Sequence, residues 1–261
     1  MSELMSYNGA HLQSNVQTSP DVEVSVVVPV FNEAGNVESL CREIIASMMK
    51  MKRRFEVILV DDASTDATPE RLASLGAGAS LRFLRHRRNY GQSAAVATGF
   101  RHACGSFVAT LDGDGQNDPS DLPRLIEHLQ ATDADCVTGV RAVRRDSWLK
   151  RAASRVGNGF RDWVTGDRVS DSGCGIRVVR RDCLAELPVF NGMHRFLPTL
   201  LRAQGYRVEE LVVNHRPRLW GVSKYGLRNR LCRGLRDCFG VRWYLDRAVP
   251  AIRVETTEDK V

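Results

Sequence analysis

Short apolar runs alternate with amphipathic stretches along the first half of the chain. A Val-rich run at positions 22–28 ends at Pro29, and the next stretch, from Val37 to Met51, places its apolar residues at helical spacing. A continuous apolar run at positions 56–60 follows, and helical spacing then continues to Leu75. This order predicts two successive β–α units.

Further apolar runs extend the pattern into the second half. They predict strands at positions 81–84, 106–111 and 135–139, and another at positions 206–213. Strands that alternate with helices are typical of a mainly parallel sheet with helices on both faces. We therefore predict an α/β fold.

Polar clusters stand directly after three of the predicted strands. In open α/β sheets, ligands bind beyond the carboxyl ends of the strands. We therefore expect the functional site where these clusters meet. The clusters are Phe31-Asn32-Glu33, Asp61-Asp62 and Asp112-Gly113-Asp114.

The composition excludes several classes of protein. The 261 residues are 43% hydrophobic, which is enough for a core and excludes a wholly disordered chain. No run approaches the roughly 18 consecutive apolar residues of a spanning helix, and the polar start lacks the pattern of a signal peptide. The 7 cysteines are scattered, odd in number and without zinc-binding spacing, as expected of reduced thiols. These features predict a cytoplasmic protein.

Charge is divided unevenly along the chain. Residues 1–140 contain 12 Lys and Arg against 18 Asp and Glu, whereas residues 141–261 contain 25 against 13. An acidic part can hold a divalent cation, and a strongly basic part favours phosphate-bearing partners. Nucleic acid, anionic lipid and a phosphorylated substrate all meet that description, and charge alone does not distinguish them.

The loop from Asp112 to Asp118 offers side-chain oxygens at alternate positions after an apolar run. Such a loop suits a hard cation such as Mg²⁺ or Mn²⁺. A calcium-binding loop is excluded because it requires Gly at its sixth position and Glu at its twelfth, where this chain has Asn117 and Pro123. An acidic turn without function is the alternative. The cluster from Asp61 to Asp66 has a similar alternative, since these residue types are common helix N-caps.

Three motifs in this order resemble those of the family 2 glycosyltransferases. They are Pro29-Val30-Phe31-Asn32-Glu33, Asp61-Asp62-Ala63-Ser64-Thr65-Asp66 and the Asp112 and Asp114 pair, which correspond to the family's PxYNE, DDxSxD and DxD motifs. The resemblance continues through Asn89-Tyr90-Gly91-Gln92, through Asp171 to Arg177 and through Arg218 to Gly226, and covers about residues 22–230. The later motifs are similar to the polyprenyl-phosphate branch, which includes dolichyl-phosphate mannose synthase, bactoprenol glucosyltransferase and the undecaprenyl-phosphate aminoarabinose transferases.

The resemblance implies a fold and an activity. The fold is GT-A, a Rossmann-like sheet that binds a nucleotide sugar, and we expect it over residues 21–225. The activity is inverting, metal-dependent transfer of one sugar from a nucleotide-sugar donor to undecaprenyl or dolichyl phosphate, with Mg²⁺ or Mn²⁺ as cofactor. Around the catalytic domain we expect a disordered leader at residues 1–20, an amphipathic interfacial helix at 226–250 and a polar tail at 251–261.

The resemblance also assigns site residues. Those expected to hold the base and ribose of the donor are Pro29, Phe31, Glu33, Val60 and Asp62. Those expected to bind the metal and diphosphate are Asp112, Asp114 and Gln116. Those expected to contact the donor phosphates are Arg141, Arg218 and Lys224, and together with Asp114 they form the expected catalytic set. Those expected to bind the acceptor phosphate are Lys150, Arg151 and Ser154.

Two positions depart from the family pattern. Phe31 stands where the family usually has Tyr, so the ring face is kept and the hydroxyl is lost. Lys150 stands where a relative has Arg. A bidentate clamp on the acceptor phosphate would therefore become a point charge.

Elementary chemistry agrees with a phosphate acceptor. A phosphate monoester has its second pKa at roughly 6, so its oxygen is largely anionic at neutral pH and needs no general base. Catalysis then requires alignment of the reactants and neutralisation of the departing nucleoside diphosphate. A metal ion and cationic side chains supply that neutralisation.

Other functions are alternatives. A family 2 transferase acting on a sugar hydroxyl needs a carboxylate base, and its processive members carry QxxRW; this chain has neither that motif nor an obvious late acidic pair. A nucleotidyltransferase would carry a Gly-rich basic loop where this chain has Phe31-Asn32-Glu33. A nucleic-acid-binding protein would use the basic part but would leave the loop from Asp112 unexplained. We therefore expect nucleotide sugar and polyprenyl phosphate, and no nucleic acid, as partners.

Residues 227–245 have the pattern of an amphipathic helix. Its apolar face would contain Leu227, Leu231, Leu235, Cys238 and Phe239, and six Arg lie between residues 226 and 248. Arg-rich helices with aromatic residues lie in the plane of anionic bilayers. We expect a peripheral protein on the cytoplasmic face of the membrane, bound directly or through a separate membrane-protein partner. A helix packed on the protein's own core is the alternative.

Overall fold

The computed structural model describes residues 22–76, 80–141, 157, 159–167, 169–217 and 227–249, and only the backbone at 227–233. The leader expected at residues 1–20 and the tail expected at 251–261 lie outside the described residues. So do five expected site residues, which are Lys150, Arg151, Ser154, Arg218 and Lys224.

A seven-stranded sheet forms the centre of the described structure. Its strands are β1 (Val24–Val30), β2 (Phe55–Asp61), β3 (Leu81–Arg85), β4 (Phe107–Thr110), β5 (Cys136–Arg141), β6 (Arg177–Arg180) and β7 (Val208–Val213). Their order across the sheet is β3-β2-β1-β4-β6-β5-β7, and β6 is antiparallel to both of its neighbours. The other described strand pairs are parallel.

Helices cover both faces of this sheet. They are α1 (Val37–Lys50), α2 (Thr68–Ser74), α3 (Gln92–His102), α4 (Leu122–Ala131), α5 (159–165), α6 (Met193–Ala203) and α7 (Leu227–Leu245). Successive side chains of β1 point to opposite faces of the sheet, so the strand contributes to the core on each face. Val26 packs with residues of α1 and α4, whereas Val27 packs with residues of α3. A β-carbon on Gly99 would lie 2.1 Å from Cγ1 of Val27, so the glycine allows α3 to approach the sheet closely.

The predicted α/β class and its mainly parallel sheet are confirmed. The strand that the sequence pattern did not predict is β6, because its four residues are Arg177-Val178-Val179-Arg180 and only the middle pair is apolar. Arg177, the last residue of the Asp171 to Arg177 motif, is the first residue of this strand.

Within the segment 226–250, for which an interfacial helix is expected, the chain forms the helix α7 (Leu227–Leu245). The described side chains of this helix are not buried and exposed in the way that the sequence pattern predicts. Cys238 and Val241 are buried against α6, whereas Phe239 is exposed although the pattern places it on the apolar face. The helix therefore packs on the protein's own core and still presents aromatic side chains to solvent. In the described part of the chain, no helix combines the length and apolar character needed to cross a bilayer.

Candidate active site

The carboxyl ends of the parallel strands surround one cavity of about 470 Å³. The structure brings eight of the expected site residues to its wall: Pro29, Phe31, Glu33, Asp62, Asp112, Asp114, Gln116 and Arg141. Val60 is different, because its side chain is fully buried in β2 among the core residues of the α3 face. The three polar clusters thus meet at the sheet edge where the sequence places them.

The turn after β1 is held by the second motif. The backbone N–H of Asn32 donates to the Ser64 hydroxyl at 2.9 Å, and the N–H of Glu33 donates to the Thr68 hydroxyl at 2.9 Å. Asn32 has a φ of 53°, a left-handed conformation that Asn tolerates better than most residues. Ser64 of the second motif and Thr68 at the start of α2 therefore shape the wall that carries Phe31.

The acidic residues of the second motif have different roles. Asp61 lies against Arg85, with Nε and Oδ2 separated by 3.1 Å, and it accepts from the N–H of Ser64. Asp66 accepts from Thr68 and Ala34; burial alone would raise its pKa, but these hydrogen bonds lower it. Neither residue lines the cavity. The N-cap of α2 is Ala67, so these two residues stabilise the loop between β2 and α2 and neither of them caps the helix.

Asp62 is the member of this motif that faces the cavity. Its carboxylate accepts from the backbone N–H groups of Tyr90 at 2.9 Å and Gly91 at 2.7 Å, and from Nδ1 of His86 at 2.7 Å. Gly91 has a φ of 93°, which favours glycine at this position. A buried carboxylate with this many donors has a fixed orientation.

Asp112 and Asp114 form the acidic wall of the cavity. Burial and the charge of Asp114 raise the pKa of Asp112 to about 6, against the opposing influence of Arg177, Gln92 and Arg141. Two carboxylates with the amide of Gln116 are a suitable donor set for Mg²⁺ or Mn²⁺, and a cation would relieve the repulsion between them. Among the described residues, no three or more His, Cys, Asp or Glu side chains converge on a metal position, so phosphate oxygens and water would complete such a site.

Arg141 brings positive charge to the same cavity. Its guanidinium donates to both carboxylate oxygens of Asp171, at 2.6 Å and 2.7 Å. Burial lowers the pKa of Arg141, but the ion pair with Asp171 outweighs it and the net shift is upward. The first residue of the Asp171 to Arg177 motif therefore fixes the direction of a permanent cation.

Sequence reasoning missed several cavity residues. Asn89 and Gln92 belong to a quoted motif but received no role, and Asn117 lies in the acidic loop beside its expected ligands. His215 lines the cavity and forms an isolated β-bridge with Asn117, although the sequence motifs assign it no role. The available signal was position, because Asn89 and His215 follow the ends of β3 and β7.

Comparison with known proteins identifies similar sequences. Residues 25–187 match the profile of Glycosyl transferase family 2. Dodecaprenyl-phosphate galacturonate synthase of Rhizobium johnstonii is 36% identical over 86% of this chain and 68% of its own length. Undecaprenyl-phosphate 4-deoxy-4-formamido-L-arabinose transferase of Edwardsiella ictaluri is 39% identical over 78% of this chain and 63% of its own length, so the chain spans less than two thirds of that relative.

Solved structures share the fold. Glucosyl-3-phosphoglycerate synthase from Mycobacterium tuberculosis in complex with Mn²⁺, UDP and phosphoglyceric acid superposes with a TM-score of 0.66 and 19% identity, covering 87% of this chain and 80% of that one. The same enzyme with Mg²⁺ and UDP gives a TM-score of 0.62 at 19% identity over 87% and 81% of the two chains. At this level of identity the likeness concerns the fold.

Proposed function

The chain belongs to glycosyl transferase family 2, and on that basis we propose that it moves one sugar from a nucleotide donor to a polyprenyl phosphate with inversion. The cavity in which Asp62, Asp112, Asp114 and Arg141 meet carries this proposal. It combines a fixed carboxylate, a pair of potential metal ligands and a permanent cation at the strand ends. Both curated relatives described above are named for transfer to a polyprenyl phosphate.

The donor nucleotide would occupy the part of the cavity between Phe31 and Asp62. The Phe31 ring offers a face for base stacking. The carboxylate of Asp62 is already oriented by three donors and can accept a further hydrogen bond from the base or ribose. Preorganised groups of this kind reduce the entropy lost on binding.

The diphosphate of the donor would lie between the acidic wall and Arg141. Asp112, Asp114 and Gln116 would hold Mg²⁺ or Mn²⁺, which when bound neutralises charge on the diphosphate as it departs. Arg141 adds a cation whose direction is fixed by Asp171. On the family motif alone, we keep Arg218 and Lys224 as proposed phosphate contacts and Lys150, Arg151 and Ser154 as the proposed acceptor-phosphate site.

The acceptor oxygen needs alignment more than activation. A lipid phosphate monoester is largely dianionic at neutral pH, so its oxygen can attack the anomeric carbon without losing a proton to the protein. In-line attack opposite the leaving diphosphate inverts that carbon. The basic residues proposed for the acceptor would hold the phosphate in line.

We also propose that the protein acts at the cytoplasmic face of a membrane, where its lipid acceptor would lie. Four aromatic residues of α5 and α7 support this: Trp163, Phe239 and Trp243 are 78%, 59% and 64% exposed, and Phe160 lies 6.1 Å from Trp163 and 6.0 Å from Phe239 between ring centroids. We call Phe160, Trp163, Phe239 and Trp243 the aromatic patch. Aromatic rings beside arginines are typical of surfaces that rest in the headgroup region.

Activity measurements test the reaction. Purified protein, undecaprenyl phosphate and a panel of nucleotide sugars, including nucleotide-linked galacturonate and 4-deoxy-4-formamido-arabinose, should give a glycosyl phospholipid of inverted configuration. EDTA should abolish the product, and Asp114→Asn should lower kcat at least about a hundredfold because a metal contact is worth several kcal/mol.

A matched substitution in the same loop provides the control. Asp118 accepts from Ser120 and Arg216 and does not line the cavity. Asp118→Asn should retain most of the activity. Full activity of Asp114→Asn in the presence of EDTA would remove the metal from the mechanism, and absence of product with every donor would contradict the proposed reaction.

A further inference from the structure

The carboxylate of Asp112 sits between a glutamine and a glycine. Nε2 of Gln92 donates to Oδ1 of Asp112 at 2.8 Å. A β-carbon on Gly175 would lie 2.2 Å from Oδ2 and 2.3 Å from Cγ of the same carboxylate. The glycine therefore provides the space that the carboxylate occupies, and the glutamine donates from another element.

The residues on either side of Gln92 fix its position. The N–H of Gly91 donates to Asp62 at 2.7 Å, and the hydroxyl of Ser93 accepts from the N–H of Gly192 at 2.9 Å. The first residues of α3 are thus attached both to the end of β2 and to the start of α6. A side chain on such a rigid base can determine the rotamer of its partner.

The hydrogen bond from Gln92 contributes little to folding. Gln92 is exposed at the cavity wall, whereas neighbouring Ser93 is buried. An intramolecular hydrogen bond that is open to water adds little to the free energy of folding, because water replaces either partner. The orientation of Asp112 is the property that depends on it.

We propose that Gln92 is a positioning residue, which holds the Asp112 carboxylate against Gly175 in the orientation that binds the metal. This inference rests on the proposed function, in which Asp112 is a metal ligand. Groups that orient metal ligands typically change metal affinity by about 10–100-fold when they are removed. Gln92 acts in this way through Asp112 and needs no contact with the substrate.

Metal titration of the full-length protein tests the inference without measuring activity. The Mn²⁺ dissociation constant would be followed by the loss of the free-ion EPR signal, alone and with saturating UDP or GDP. Gln92→Met keeps the length of the side chain and removes its donor, so the dissociation constant for Mn²⁺ should rise at least about tenfold. The affinity for the nucleotide in EDTA should not change.

Two further variants complete the design. Gln130 lies on α4, outside the cavity, and its amide oxygen accepts from Arg53. Gln130→Met is therefore the same substitution made at a hydrogen bond that is only structural. The Mn²⁺ dissociation constant of Gln130→Met should stay within about twofold of that of the unaltered protein. Its Tm should fall by no less than the Tm of Gln92→Met. Gly175→Ala places a methyl group where the carboxylate lies, and its loss of Mn²⁺ affinity should exceed that of Gln92→Met.

The outcomes separate this inference from the function beneath it. Unchanged Mn²⁺ affinity in Gln92→Met would overturn the positioning role while the metal site stands. Weaker nucleotide binding in EDTA would also overturn it, because Gln92 would then contact the nucleotide directly. Failure of the unaltered protein to bind Mn²⁺ with either nucleotide would overturn the proposed metal site, and the inference with it.

Discussion

Asp62 shows how one side chain can serve both the fold and the site. Its two oxygens accept from Tyr90, Gly91 and His86 while the residue faces the cavity. Asp62→Asn leaves one acceptor oxygen, so at least one donor loses its partner. We expect the free energy of unfolding to fall by about 1–3 kcal/mol and the dissociation constant for the preferred nucleotide to rise about tenfold, measured by urea unfolding and calorimetry.

Asp66 provides the contrast within the same motif. It also accepts several hydrogen bonds but does not line the cavity. Asp66→Asn should therefore lower the free energy of unfolding by a similar amount and leave the affinity for the nucleotide within about twofold, since only local hydrogen bonds are lost. Equal losses of nucleotide affinity in the two variants would contradict the separation of roles within the motif.

His194 makes stability depend on pH. Its Nδ1 lies within hydrogen-bonding distance, 2.8 Å, of the Ser93 hydroxyl, which also accepts from the N–H of Gly192. Burial, with repulsion from Arg195 and Arg177, lowers the pKa of His194 from 6.5 to about 3. Above pH 6.5 the ring is neutral in both states; as pH falls from 6.5 towards 3, the unfolded chain gains a proton that the folded chain does not, and stability decreases.

The corresponding measurement isolates this one ring. His194→Asn keeps a side chain that can form a hydrogen bond with Ser93 and removes the titrating group. Between pH 7 and pH 5 the free energy of unfolding should fall by about 2 kcal/mol less in this variant than in the unaltered protein, at about 1.4 kcal/mol per pH unit and proton. Urea unfolding at the two pH values measures the difference. Equal falls would mean that His194 titrates normally in the folded state.

At the scale of elements, the sequence predicts the strands that have long apolar runs. β1 and β2 are buried on both faces, so most residues of each are apolar and both strands are recognisable from the sequence. β6 is recognisable only from its partners, because Arg177 and Arg180 enclose two valines and the strand depends on pairing with β4 and β5. Pairing over such distances leaves no local pattern.

The same reasoning separates the predictable part of the site from the rest. Residues directly after a strand, such as Asp62 and Asp112, are predictable because the sheet brings strand ends together. The contact of Gln92 with Asp112 joins the start of α3 to the loop after β4, and that of Arg141 with Asp171 joins the end of β5 to the turn before β6. They depend on how the helices pack, which periodicity does not encode.

The aromatic patch gives a prediction for α5 and α7 together. If it rests on lipid, Trp163→Ser with Trp243→Ser should greatly reduce cosedimentation with vesicles that contain anionic phospholipid, because interfacial aromatic contacts are lost. Met49→Ser is the matched control, since Met49 is 67% exposed on α1, which covers the opposite face of the sheet. Circular dichroism checks folding. Undiminished binding of the double variant would assign the patch to another partner.

At the scale of the whole molecule, charge is divided along the chain. The basic excess of residues 141–261 coincides with the segments expected to meet the lipid phosphate and the membrane, while the acidic first part supplies Asp62, Asp112 and Asp114. The fold brings the two parts together, because β6 lies between β4 and β5 in one sheet. Arg141 can then face the acidic wall across a single cavity.

This arrangement predicts two kinds of salt dependence. Attraction of the basic part to an anionic bilayer acts over about one Debye length, roughly 10 Å at 0.1 M salt, and weakens as salt rises. Contacts between residues and phosphates inside a cavity are screened much less. Raising NaCl from about 0.05 M to about 0.5 M shortens the Debye length severalfold. This change should therefore lower the rate with undecaprenyl phosphate in anionic vesicles by at least about tenfold. The rate with a short, water-soluble prenyl phosphate should change by less than about threefold. Equal salt dependence with both acceptors would show that the basic residues act on the phosphate itself, and the electrostatic part of membrane binding would then be wrong.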